Sequence, residues 1–329
     1  MMPKVSILIP VYNVSGYIER CAISVFEQTL KDVEYIFVDD ASPDDSIDKL
    51  KKIIEQYPEK KNSTKIIRHE RNEGLAAARN TALHESTGEY IAVVDSDDYI
   101  EPDMLSQMYE TAIAQQADIV VSDMIMEYPG KTFILPDKVP DNQDDIFKEM
   151  LLNESSHSFL PDKLIKSSLY KMPECIVING LNYYEDRYVS LRLYYYAKKI
   201  VKINNAFYHY NHTNAYAITK NKTEMHFKNA IQFWDSTDEF LKSKGIYDKY
   251  RSIAEFPKIQ TKVRLMVDCN DWKLRRKYSD IFIGFEKKYK KNLKSGEKLI
   301  LWLLRHKLFL TTQFVRQLIQ LKGTFAKLK

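Results

Sequence analysis

The first 125 residues alternate short apolar runs with segments of helical periodicity, and few architectures accept that alternation. Lys4–Val11 is a nearly continuous apolar run, as a strand covered on both faces requires. Ser15–Gln28 then repeats apolar residues at helical spacing through Ile18, Cys21, Ala22, Val25 and Phe26. Glu34–Val38 is a second strand-like run ending at Asp39-Asp40, and Ser46–Tyr57 reads as helix. Further strands are expected at Lys65–Arg68, Glu89–Val94 and Asp118–Val121, with helices after Gly74 and over Met104–Gln115. This spacing implies an α/β fold with a mostly parallel, Rossmann-like sheet flanked by helices. Ligands of such sheets sit beyond the carboxyl ends of the strands. Asp39, Asp40, Asn72, Asp95 and Asp97 all fall there.

Beyond Pro129-Gly130, which reads as a turn, the pattern loosens. Helices are expected at Ile146–Asn153, Glu185–Lys198, Thr223–Lys244 and Tyr247–Asp268, then a basic helical tail over Trp272–Lys329. The three cysteines are far apart and odd in number, which argues against a disulfide framework or a cysteine zinc site. No run of about 20 apolar residues occurs, so no membrane span is expected. Nor does the amino terminus read as a signal peptide, and a cytoplasmic setting, at the inner face of the membrane if the tail docks there, is the expectation. The formal charge of +4 is uneven. Lys273 to Lys329 holds 16 Lys/Arg against three acidic residues, a net of +13, so the residues before it carry −9.

The densest chemical signal is Val93-Val94-Asp95-Ser96-Asp97-Asp98. In an extended segment Asp95 and Asp97 would share a face while Ser96 points away. Crowded carboxylates call for a cation, and Mn²⁺ or Mg²⁺ binds through one or two carboxylates plus substrate phosphates. Capping of the following helix is the alternative use of Asp97 or Asp98.

This run has company in Pro10-Val11-Tyr12-Asn13, in Asp39-Asp40-Ala41-Ser42 and in Arg71-Asn72-Glu73-Gly74 leading to Arg79-Asn80. The set, in this order, resembles the family-2 glycosyltransferases of the GT-A fold over residues 3–125, and more loosely to about 220. The resemblance implies a GT-A catalytic domain at 1–220, with a nucleotide-sugar-binding half (1–125) and an acceptor half (126–220), followed by a helical, basic region at 221–329. It implies that Pro10, Tyr12, Asp40, Asn72, Arg79, Asp95, Ser96 and Asp97 face the nucleotide-sugar, and that Asp97 or Asp98 holds the metal. Chemically, Tyr12 can stack on a base, Asp40 can accept from a base N–H, which favours UDP, and Gly74 lets the next helix aim its amino terminus at phosphate.

A second acidic site, Tyr184-Glu185-Asp186-Arg187, opens a helix, where acids also offset the macrodipole. The resemblance makes Asp186 the general base, with Glu185 as the alternative, and the reaction an inverting transfer onto a glycan or lipid-linked hydroxyl in surface polysaccharide synthesis. His209 and His212, in Tyr208-His209-Tyr210-Asn211-His212, are candidates to touch phosphate or metal, or simply to pack. Phe159–Leu164 lies where relatives shape the acceptor site, but lacks the Trp-Asn that commonly precedes its Lys-Leu pair. The tail, with Leu299–Leu304 and Leu308–Leu321 interspersed with Lys and Arg, suits a peripheral helix on an anionic membrane or helices packed on the body. No nucleic-acid motif accompanies the charge. A non-catalytic nucleotide-sugar-binding scaffold subunit on the same fold is the other functional class. A nicotinamide dehydrogenase is excluded, because Pro10-Val11-Tyr12-Asn13 stands where a Gly-x-Gly-x-x-Gly turn would be.

Overall fold

In the computed structural model, strand β1 (Val5–Val11) is buried along its whole length, as its apolar run demands. It pairs in parallel with β2 (Val33–Asp39) on one side, and β2 pairs in parallel with β3 (Thr64–Arg68). On its other side β1 takes β4 (Tyr90–Val93), again in parallel. The structure describes residues 2–140, 142–152, 158–214, 218 and 222–309. Helices α1 (Ile18–Phe26), α2 (Ser46–Gln56) and α3 (Leu75–Glu85) are the crossovers that parallel pairing requires.

The remaining strands of the sheet are β5 (Tyr99–Ile100), β6 (Ile119–Tyr128), β7 (Lys131–Leu135), β8 (Lys163–Lys166) and β9 (Ile200–Asn211). The sheet order is β3-β2-β1-β4-β8-β6-β9-β5, with β7 added to β6 as a hairpin. Antiparallel β8 joins β4 to β6, and β6 runs parallel to β9. The fold is thus the expected α/β type: a sheet parallel from β3 through β4 and flanked by helices α4 (Met104–Gln115), α5 (Gln143–Leu152), the short α6 (Ser167–Tyr170) and α7 (Glu185–Tyr196). The chain divides into two compact units, Met1–Ala215 and Tyr216–Lys329.

The second unit is helical: α8 (Glu224–Ser243), α9 (Tyr247–Asp268), α10 (Trp272–Lys277), α11 (Ile283–Lys288) and α12 (Ser295–Arg305). Trp234 is fully buried and donates to Thr261 at 3.1 Å. Buried Lys262 pairs with Glu286 at 2.5 Å, so part of the basic excess is internal. Most of the expected amphipathic stretch Leu308–Leu321 lies outside the described residues. Among the described residues, no helix is long and apolar enough to cross a membrane.

Candidate active site

The Asp-rich segment is a turn rather than a strand. β4 stops at Val93, and the Asp98 N–H donates to the Asp95 carbonyl at 2.9 Å. The alternation expected of an extended segment therefore does not apply, and the carboxylates diverge. Asp95 meets Arg79 at 2.8 Å, Asp97 accepts from the Asn214 amide at 2.8 Å, and Ser96 is buried. Asp98 is held on both oxygens, by the Tyr208 hydroxyl and by the Asn211 N–H, each at 2.7 Å. The Tyr208 hydroxyl also accepts from the Asp95 N–H at 3.1 Å. The end of β9 thus clamps the turn, because β5, directly after Asp98, pairs with it at Tyr99–His209 and Ile100–Tyr208.

Arg79, from the middle of α3, joins this turn to the second acidic motif. Its guanidinium is only 3% exposed, donates to Asp95 and Glu185 (3.1 Å), and makes a short contact to Asp186. Burial opposes the charge on Arg79, but Asp186, Asp95 and Glu185 hold it firmly protonated. Three carboxylates share this one buried cation. Burial pushes Glu185 up to about 8, with repulsion from Asp186 adding to the rise and Arg79 opposing it. Asp186 is raised by burial, pulled back by Arg79 and raised again by Asp95. Its carboxylate remains partly exposed.

The loops at β1, β2 and β3 complete the wall. Tyr12 stands just past β1 and is 45% exposed, whereas Pro10 is buried within the strand. Asp40 accepts from the Glu73 and Gly74 N–H groups and pairs with His69 Nδ1, all at 2.8 Å, which fastens the loop carrying exposed Asn72. Asp39 instead keeps a buried Oδ2 that lacks a hydrogen-bond partner among the described residues; Arg68 Nε is 3.4 Å away. The amino terminus of α3 is not open either: the Asn182 side chain accepts from the Ala76 N–H at 3.0 Å. Gly74, at φ +91°, makes room for it, since a Cβ there would lie 2.2 Å from the Asn182 amide.

A model of glycosyl transferase family 2 matches residues 6–166. EpsH of Bacillus subtilis (strain 168), a protein named as a glycosyltransferase, is 30% identical over 278 residues, covering 82% of this chain and 78% of that protein. The chain belongs to glycosyl transferase family 2. This family-2 chain also shares its fold with Staphylococcus aureus TarS 1-349 solved in complex with UDP-GlcNAc, at TM-score 0.56 and 21% identity, over 97% of this chain and 92% of that one. The mannosyltransferase PcManGT from Pyrobaculum calidifontis, in complex with GDP-Man and Mn²⁺, matches at TM-score 0.51 and 15% identity, over 96% and 85%.

Two further expectations meet the structure here. His209 lies between Glu101 (2.8 Å) and Glu127 (3.0 Å) and stacks on Tyr99, a packing role on β9. His212 stacks on Tyr128, with ring centroids 4.0 Å apart. In the Phe159–Leu164 segment, fully buried Lys163 pairs with Asp162 at 2.6 Å. Asn182, Tyr208, Asn211 and Asn214 are the residues that motif reading passed over. Tyr208 and Asn211 lie inside the segment quoted for its histidines and Asn182 just before the Glu185-Asp186 motif, whereas Asn214 lies outside both.

Proposed function

We propose that this family-2 enzyme transfers a sugar from a nucleoside-diphosphate donor, UDP-sugar by preference, onto a glycan or lipid-linked hydroxyl in surface polysaccharide synthesis, inverting the anomeric centre. The observation that carries the reading is buried Arg79, which brings the Asp95 turn and the Glu185-Asp186 pair into one site. The unit ending near 215 is taken as the catalytic domain, divided near 125 into donor and acceptor halves, and the helical unit after it as an accessory. The UDP-GlcNAc held by TarS supports the choice of donor.

Tyr12 stacks on the base, and Asp39 rather than the fully engaged Asp40 accepts from the base N–H. Asp40 instead sets the loop that presents Asn72. Asp186 takes the acceptor proton as the hydroxyl attacks the sugar carbon from the face opposite the leaving diphosphate. Arg79 keeps Asp186 ionised and aimed, and Glu185 shares that cation. Direct displacement needs no carboxylate nucleophile.

The residues suit a divalent metal. Among the described residues no group of three or more His, Cys, Asp or Glu side chains is arranged to hold an ion unaided. A hard cation that completes its shell with donor phosphates needs only one or two carboxylates. Asp97 fits: burial and neighbouring Asp95 raise its pKa, which a cation would relieve, and Asn214 occupies only its Oδ2. Asp98, bonded on both oxygens, braces Asp97. When bound there, Mn²⁺ or Mg²⁺ offsets charge on the leaving diphosphate.

The test is a screen of UDP-, GDP- and dTDP-sugars with Mn²⁺, read by thermal shift and diphosphate release, on wild type and Asp97→Ala. Metal-dependent stabilisation and release by one donor class, lost in Asp97→Ala, is expected. Donor binding without release across a broad acceptor panel would point to the scaffold subunit instead.

A further inference from the structure

The β6–β7 hairpin carries aromatic side chains that solvent does not explain. Tyr128 and Phe133 are 40% and 38% exposed and lie parallel, with ring centroids 5.8 Å apart and planes within 6°. The Lys131 ammonium lies 5.1 Å from the Phe133 centroid. Ring contacts continue inward, first stacked, then edge-on, then tilted. Tyr128 is 4.0 Å from His212, His212 is 4.6 Å from Tyr210, and Tyr210 is 6.0 Å from Phe159. The row ends beside the helix that carries Asp186, because the carbonyl of Ser158, next to Phe159, accepts from the Ser190 hydroxyl of α7 at 3.0 Å, one turn beyond Asp186. Along its length it passes Asn211 and Asn214, which hold the Asp97-Asp98 turn. Parallel pairing of β6 with β9 puts the hairpin tip at this end of the sheet.

We propose that Tyr128 and Phe133 form an outer acceptor subsite, and that a sugar chain lies along this aromatic row with its terminal hydroxyl at Asp186. The proposal rests on the transferase reading and extends it, since an acceptor of several sugars is needed to span the row. Sugar rings present apolar C–H faces with polar rims, and exposed aromatic surface flanked by a tyrosine hydroxyl and a lysine matches both. The stacked rings are held before the ligand arrives, which lowers the ordering cost of binding. Continuity with the catalytic carboxylates singles out the acceptor as the occupant.

The test compares wild type with the Tyr128→Ala/Phe133→Ala double variant on a printed array of bacterial surface oligosaccharides of four or more sugars. Binding is read by labelled protein with UDP present, so no turnover is needed. Wild type is expected to bind a subset of chains, and the double variant to bind them about tenfold more weakly, in line with the loss of two aromatic contacts. Tyr128→Phe/Phe133→Tyr should retain binding, and the thermal shift with UDP should be the same in all three proteins. Equal binding by wild type and the alanine variant, or no chain bound by wild type, overturns the proposal. So does self-association of wild type that the alanine variant abolishes, which would make the row a contact between copies. Absence of diphosphate release by wild type would count against the transferase reading, whereas the array result concerns the subsite alone.

Discussion

The two ends of one sheet treat buried acids in opposite ways. At the amino end, Glu34 of β2 accepts from the Ser6 hydroxyl, from the hydroxyl of Thr87 and from the Gly88 N–H at 3.0 Å. Every donor is neutral, and the group closes the corner between β1, β2 and β4. At the carboxyl end, Asp95, Glu185 and Asp186 crowd around Arg79, while Asp97 and Asp98 sit beside them in a turn. Satisfied acids stabilise a fold; acids left short of compensation are poised for a ligand or a proton. The contrast separates structure from chemistry within one sheet.

The comparison breaks most severely at the buried guanidinium of Arg79. Arg79→Met leaves three carboxylates without a counter-charge and should cost about 3–5 kcal/mol of stability, measured by urea unfolding. Protonating those carboxylates removes the repulsion, so the deficit should shrink as the pH falls from 8 to 5. A deficit independent of pH would show that the cation is not what balances them.

At the other end, Gly88→Ala would place a Cβ 2.6 Å from the Ser6 backbone nitrogen and 2.9 Å from the Val5 carbonyl carbon. Backbone cannot yield as a side chain can, so a loss of about 1–3 kcal/mol is expected. Transfer per folded molecule should be unchanged. Loss of transfer without loss of stability would erase the distinction between the two ends.

Within the turn, Asp98→Ala strands the Tyr208 hydroxyl and the Asn211 N–H and should cost about 1–3 kcal/mol by thermal unfolding. Asp97→Ala, which strands one amide hydrogen bond, should cost about 1 kcal/mol or less. The reverse order would exchange their assigned roles of brace and metal ligand.

The smallest effect is a displacement of the pH profile. An acid limb set by Asp186 rises with pH, because the base acts deprotonated. Burial and Asp95 raise that carboxyl against Arg79, so the limb for kcat/KM should lie above the ordinary aspartate value of about 4. With Glu185 pushed up to about 8, the limb belongs to the pair and should be broad. A sharp limb below pH 4 would contradict this.

The parallel half of the sheet was legible because strands covered on both faces are continuous apolar runs, as in Val5–Val11. Residues at their carboxyl ends could therefore be nominated from sequence. β5, β7, β8 and β9 do not show in the sequence pattern. Lys163–Lys166 carries a fully buried lysine at its start, and Ile200–Asn211 mixes Asn, Lys and aromatic residues, so neither shows a clean period. β9 supplies Tyr208 and Asn211, more than 100 residues from the turn they clamp. The separate orientations of Asp97 and Asp98 depend on that long-range contact, which is why the motif alone left them interchangeable. Strand alternation would pair Asp95 with Asp97, whereas its partner is Arg79, sixteen residues earlier.

The proposed mechanism makes Asp186 the base beside a donor site it does not build. The direct measurement is Asp186→Asn, with donor Kd by calorimetry and transfer rate under saturating acceptor. Donor affinity within about threefold of wild type, with kcat down roughly 10²–10⁴-fold, is the predicted result. Transfer at the wild-type rate would contradict it.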